Sequence, residues 1–116
     1  MQQREDINKS LYDIQVAIDS IESYLAENLG KERNFYVYLQ KKMLRRGVER
    51  ELEIIGEATN RILKITPDFP ITSARKIVDT RNYVAHGYDK VDDSIIWYIV
   101  TKHLPKLKED IDRLLK

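Results

Sequence analysis

Between Arg81 and Asp89 the chain reads Arg-Asn-Tyr-Val-Ala-His-Gly-Tyr-Asp, the densest grouping of chemically capable side chains in the sequence. His86 carries an imidazole whose ordinary pKa of about 6.5 suits proton transfer near neutral pH. The glycine directly after it leaves it accessible. At a helix C-terminus the ring would also lie near unpaired carbonyls, which favour its protonated form. Asp79, Asn82 and His86 are separated by three and then four residues, so on a regular helix they share a face, and a carboxylate and an amide there can orient the imidazole. Arg81 stands apart: five residues of helix place it about 140° around the axis from His86. A straight helix cannot aim both at one atom unless the long Arg81 side chain wraps around it; a second copy of the segment from another subunit would resolve this. Spacing alone does not decide the matter, because a histidine at a helix end also serves as a cap and an arginine one turn earlier as an ion-paired surface group.

The elements that must position this segment are legible as helices. From Ile7 the apolar residues fall at Leu11, Ile14, Ile18, Ile21 and Leu25 in alternating steps of four and three, one stripe of an amphipathic helix. It should stop near Asn28-Leu29-Gly30, where glycine can take the left-handed conformation that closes helix ends. A second long helix is expected over about Phe35 to Leu63, with Val48, Leu52, Ile55, Thr59 and Ile62 as its stripe. Gly47 and Gly56 lie inside it; each should cost about 1 kcal/mol relative to alanine, so they permit a close helix approach or a bend, or are simply tolerated.

Thr66-Pro67-Asp68-Phe69-Pro70 must interrupt that helix, since proline removes a donor and restricts its predecessor. A third helix is expected from about Ile71 to His86, ended by Gly87. A fourth would start at Asp92 or Asp93 and turn Ile96, Val100, Leu104, Leu107, Ile111 and Leu114 inward, with Pro105 kinking or splitting it because it cannot donate to the carbonyl of Thr101. No run long enough for a strand alternates apolar and polar residues. The expected fold is all-α, an antiparallel four- to five-helix bundle forming a single domain over residues 1–116.

Composition narrows the chemistry. Lys and Arg number 20 against 19 Asp and Glu, a net charge of +1, so attraction to a polyanion must come from a local patch. There is no cysteine and there are only two histidines, which nearly excludes a metal site of His and Cys ligands and leaves only carboxylate magnesium sites open. The N-terminal Met-Gln-Gln-Arg-Glu-Asp-Ile-Asn-Lys-Ser has no apolar signal region, and no membrane-length apolar run occurs, so the expected compartment is the cytosol and no membrane partner is expected.

With these residues in view, the run Arg81 to Tyr88 resembles the Arg-x4-His-x-Tyr motif of the HEPN superfamily, specifically its HepT-like branch. Arg81, His86 and Tyr88 fall on the three defining positions, and Asn82 supplies the polar residue that often follows the arginine. Gly56-Glu57-Ala58 is similar to the family's Gly-Glu-Ala element, and Trp97 with Leu104-Pro105 and Leu107 to its C-terminal helix. One departure is Ile71 after Phe69-Pro70, where relatives often have tryptophan; it touches loop packing more than chemistry.

The resemblance implies RNA cleavage without metal or cofactor, in which the 2′-hydroxyl attacks the adjacent phosphate and leaves a 2′,3′-cyclic phosphate. His86 would act as general base or acid, Arg81 would neutralise the phosphorane-like transition state, and Asn82 would orient or hydrogen-bond the phosphate; Asp79, placed on their face by spacing, is the supporting carboxylate. Because the motif supplies only one histidine per chain, it implies a C2 homodimer that gathers two of each group at one cleft. It further implies a toxin neutralised by a minimal nucleotidyltransferase antitoxin that adds AMP to Tyr88, placing a bulky anion beside His86. The competing reading is a non-catalytic interaction or nucleotide-binding module that presents itself to the same nucleotidyltransferase.

Lys41-Lys42-Met43-Leu44-Arg45-Arg46, with Arg50 a turn later, is a second candidate. Lys41, Lys42, Arg45 and Arg46 can contact RNA backbone or form a solvated face. Tyr36 and Tyr38 can stack on bases or pack locally. His103 is expected to be a packed residue beside the apolar stripe, and Glu49, Glu51, Glu53 and Glu57 to make ordinary surface pairs rather than bind metal.

Overall fold

The apolar stripes read along the chain face one another in the computed structural model, which describes residues 2–86 and 92–115, apart from the side chains of Arg81, Ala85 and His86. The first helix, α1, spans Gln2–Leu29, and every member of its expected stripe from Ile7 to Leu25 is buried. Gly30 closes it at φ 67°, with its N–H on the carbonyl of Ala26. Here the left-handed residue is a glycine for a steric reason: no Cβ has to be accommodated.

The expected second helix is two helices. α2 covers Phe35–Leu39 and α3 covers Lys42–Ile65, with a break at Gln40 and Lys41. Asn34 caps α2, accepting the N–H groups of Tyr36 and Val37 at 2.8 and 3.3 Å. Tertiary contacts account for the break. Tyr38 is inserted into the core, its ring 5.0 Å from that of Trp97, and Arg45 reaches back to donate to the carbonyl of Leu39. The stripe of α3 is buried as expected, and Thr59 hides its hydroxyl by donating to the carbonyl of Ile55 at 2.8 Å.

α4 spans Ala74–His86, starting three residues later than expected, because Ile71 to Ser73 form the turn that precedes it. Ser73 is left-handed at φ 59°, and the N–H of Thr72 is taken by the buried carboxylate of Asp110 at 2.8 Å. The last rod is α5 (Asp93–Tyr98), a π-helical turn (Ile99–His103) and α6 (Leu104–Leu114). Asp92 is the N-cap, accepting from the Ser94 N–H at 2.9 Å. As expected, the rod is not one continuous α-helix at Pro105, which sits in the first turn of α6 directly after the π-helical turn. The widened turn, in which the N–H of Leu104 bonds the carbonyl of Ile99, absorbs the lost donor, so Ile96, Val100, Leu104, Leu107 and Ile111 all stay buried.

Pairs at opposite ends of the rods give the directions. Tyr24 meets Glu51 at one end of the α1–α3 contact, while Ser10 and Asp13 meet Arg61 at the other, so the two run antiparallel. Gln15 with Asp112 and Asp19 with Lys108 make α1 and α6 antiparallel likewise. At Gly47 the approach is close: a Cβ there would lie 3.3 Å from the ring of Tyr24, which explains this glycine within a helix. Gly56 is buried in the same helix. The result is an all-α antiparallel bundle of four rods with α2 as a short fifth helix. Among the described residues, no helix is long and apolar enough to cross a membrane.

Candidate active site

α4 is the helix that carries the candidate motif residues, and it is moored along its whole length. The Asp110–Thr72 bond fixes its start, and Val78 and Val84 are buried against the bundle. Its last turn is tied to the start of α5, because the Tyr83 hydroxyl accepts the backbone N–H of Asp92. Arg81 and His86 lie on unbroken α-helix, so the premise of the five-residue separation holds for their backbone. Their side chains, and Tyr88 entirely, lie outside the described residues.

Asp79 and Asn82 are exposed. With Arg75 and Val78 of α4 and Glu57, Asn60 and Arg61 of α3 they line an open, mostly polar groove between the two helices. Arg61 is anchored to α1, donating to Ser10 Oγ at 3.3 Å and to Asp13 Oδ2 at 3.2 Å. Asn82 and position 86 are one turn apart on one face, about 6 Å along the axis, whereas Asp79 and position 86 are two turns and about 10 Å apart. An amide at 82 can therefore meet a group at 86 directly. A carboxylate at 79 stands a full turn further away.

The groove adds Asn60, Arg61 and Arg75 to the residues singled out in the sequence. Their signal was present but weak: Glu57, Asn60 and Arg61 follow i, i+3, i+4 spacing beside the Gly56-Glu57-Ala58 element, and only the packing of α3 on α4 reveals what they face.

The basic segment reaches the same end of the bundle as the end of α4. Arg45 pairs with Asp93 at 3.6 Å, and Asp92, its neighbour, is the residue bonded to Tyr83. Within the segment the charges divide. Arg45 is half-buried and committed to Asp93 and to the Leu39 carbonyl, and Arg46 pairs with Glu49 at 3.0 Å. Arg50 pairs with Glu53 at 3.5 Å. Lys41 is half-buried and Lys42 exposed, and neither has an ion pair among the described residues.

Tyr38 is a correction to the stacking expectation: it is 1% exposed and packs on Phe35 and Trp97, so it cannot stack on a base, while Tyr36 stays 73% exposed. Burial, with the carboxylates of Asp93 and Glu49 nearby, raises the Tyr38 phenol well above the usual tyrosine range, and Arg45 opposes this only in part. His103 packs edge-on against Tyr98 with ring centres 5.4 Å apart. Among the described residues no cluster of three or more His, Asp or Glu side chains could hold a metal ion.

Residues 14–114 match the family described as "Ribonuclease HepT-like". The chain is similar to "Putative RNase MJ1380" of Methanocaldococcus jannaschii, 30% identical over 110 residues that cover 94% of this chain and 96% of that protein. It is also similar to "Probable ribonuclease HepT" of Thermococcus cleftensis, 33% identical over 110 residues that cover 91% of this chain and 93% of that one. No solved structure matches it. A helical bundle whose fourth helix ends on Arg-x4-His, matched over nearly its full length, belongs to the HepT-like ribonuclease family of the HEPN superfamily.

Proposed function

We propose that the protein is the toxin of a toxin–antitoxin pair and acts as a metal-independent endoribonuclease. The observation that carries this reading is the family match over residues 14–114, within which α4 delivers Arg81 and His86 on one continuous helix. In the reaction the 2′-hydroxyl of the substrate loses its proton to a His86 imidazole and attacks the adjacent phosphorus. The 5′-oxygen leaves and takes a proton from a second His86, giving a 2′,3′-cyclic phosphate and a 5′-hydroxyl. Arg81 neutralises the extra negative charge on the phosphorane, Asn82 hydrogen-bonds the phosphate, and Asp79 positions Asn82.

Two copies of His86 require two chains. Exposed Ile95 and Tyr98, on the helix that follows the motif, favour a C2 homodimer formed at this end of the bundle. Lys41 and Lys42, without ion pairs among the described residues at the same end, are suited to RNA phosphates. Tyr88 is the proposed acceptor of AMP from a nucleotidyltransferase antitoxin; the added phosphate would block the cleft and repel RNA.

The test is RNA cleavage by purified, unmodified protein in EDTA, compared with His86→Ala and Arg81→Ala. Cyclic-phosphate ends that vanish in both variants are the expected result. Cleavage that persists in the variants, or none by a folded unmodified dimer, overturns the reading. Mass spectrometry of protein coexpressed with the nucleotidyltransferase tests Tyr88 separately: an unmodified Tyr88 in a neutralised toxin removes that part alone.

A further inference from the structure

On the flank of α4 away from Asp79 and Asn82, a cleft of about 180 Å³ opens between the turn before α4, the helix itself, the π-helical turn and α6. Its floor is aliphatic, formed by Leu52, Ile55, Ile77 and Leu107. Its rim carries Lys76, His103 and Lys106, and no carboxylate lines it among the described residues. The widened turn at Ile99–His103 borders it directly. Such turns recur at functional sites.

Both rim lysines are exposed and, like most lysines among the described residues, make no ion pair; what sets them apart is that they share the mouth of one apolar cleft with an imidazole. Lys108, two positions after Lys106, by contrast reaches both Asp19 and Asp112. Two free ammonium groups and an imidazole at the mouth of an apolar cavity select an anion with an apolar body.

Size limits that body. A cavity of about 150 Å³ holds a benzene molecule, and sites for drug-sized ligands start at about 300 Å³. The cleft therefore fits one flat ring system and excludes a long acyl chain. The donors at the rim, with the Ser73 hydroxyl beside them, are enough for the several oxygens of a phosphate.

We infer that this cleft binds a small ring-bearing phosphate, its ring over Ile55 and Ile77 and its phosphate among Lys76, His103 and Lys106. The same chemistry is offered by a free metabolite and by one nucleotide unit of an RNA strand. Lys76 and Thr80 lie about 15 and 9 Å along α4 from position 86, so a strand reaching the cleft could also reach the motif. The inference itself does not depend on cleavage.

The experiment titrates phenyl phosphate and 5′-AMP into the full chain while following the methyl NMR signals of Ile55, Ile77 and Ile99 and the ring signals of His103. Saturable shifts of these signals are expected, with affinity at least ten-fold weaker in Lys76→Ala/Lys106→Ala and unchanged in Lys64→Ala. Inorganic phosphate should bind more weakly than phenyl phosphate, because it leaves the floor uncovered. A short 2′-O-methyl oligoribonucleotide, which cannot undergo 2′-hydroxyl attack, separates the sources. If it displaces 5′-AMP, the cleft takes a strand; if it does not, the cleft takes a free metabolite. No saturable shift with either probe, shifts that map elsewhere, or equal affinity in the double variant overturns the inference. None of these readouts requires turnover, so failure here and failure of the nuclease reading remain distinct.

Discussion

Asp110 on α6 accepts the backbone N–H of Thr72 at 2.8 Å, so a carboxylate 38 residues further along the chain moors the turn that launches α4. Burial of Asp110 disfavours its charged form, but the Thr72 contacts and the Arg113 guanidinium at 3.2 Å outweigh it and hold the carboxyl below the usual range. Asp110→Ala should destabilise the fold by about 1–3 kcal/mol, the scale of leaving a buried N–H unpaired.

The same depression fixes the pH dependence. A carboxylate whose pKa is lowered on folding stabilises fully above its unfolded value of about 3.9, and the contribution is lost as pH falls through the lower native value. Urea unfolding of the native protein and Asp110→Asn should therefore differ most near neutrality and converge below about pH 4. A gap that persists undiminished into strong acid would show that the charge is not what matters.

The Tyr38 hydroxyl is buried and has no hydrogen-bond partner among the described residues. A buried unpaired hydroxyl opposes folding while its ring supports it, so the two parts can be separated. Tyr38→Phe is expected to leave stability unchanged or raise it by about 1 kcal/mol, whereas Tyr38→Ala should lose about 3–5 kcal/mol by removing the ring that packs on Phe35 and Trp97. Thermal unfolding of the two variants decides it, and a destabilised Tyr38→Phe would mean the hydroxyl is bonded.

Arg45 and Lys42 look alike in the sequence and should behave differently. Arg45→Ala removes the link to Asp93 and to the Leu39 carbonyl and is expected to cost about 1–2 kcal/mol of stability. Lys41→Ala/Lys42→Ala should leave stability within about 0.5 kcal/mol. If these lysines meet RNA, the double variant binds it more weakly and with a shallower salt dependence, by about 0.7 in the log–log slope for each phosphate left without its lysine. An unchanged slope would move the RNA-binding surface elsewhere on the protein.

These contrasts show where the sequence could be read and where it could not. The stripe from Ile7 to Leu25 specifies a helix and its buried face by local spacing alone, and the structure buries all of it. The break at Gln40 and Lys41 has no local signal, because its causes are Trp97 and Asp93, far along the chain. Pro105 marked an irregularity, but its accommodation by a widened turn depends on keeping Leu104 and Leu107 in register with the core. Asp110 looks like one more solvent-facing acid until Thr72 is seen against it. At the candidate site the residue types of α4 were readable from the motif. The groove partners Asn60, Arg61 and Arg75, and the cleft on the other flank, depend on which helices pack together.

Asp79 and Asn82 share a face with position 86, yet the helix separates their distances from it. Asn82 stands one turn from position 86 and Asp79 two turns, so in the proposed reaction Asp79 would act through Asn82. Asn82→Ala should lower kcat for RNA cleavage by about 10²–10³, as loss of one donor to a developing oxyanion does, with the fold intact because the residue is exposed. Asp79→Asn should have a smaller effect on kcat and leave KM nearly unchanged. Combining Asp79→Asn with Asn82→Ala should then add little to Asn82→Ala alone, since a positioning residue has nothing left to position. Single-turnover cleavage by the three variants measures this, and multiplicative losses would show instead that Asp79 contacts the reaction independently, from the other chain of a dimer.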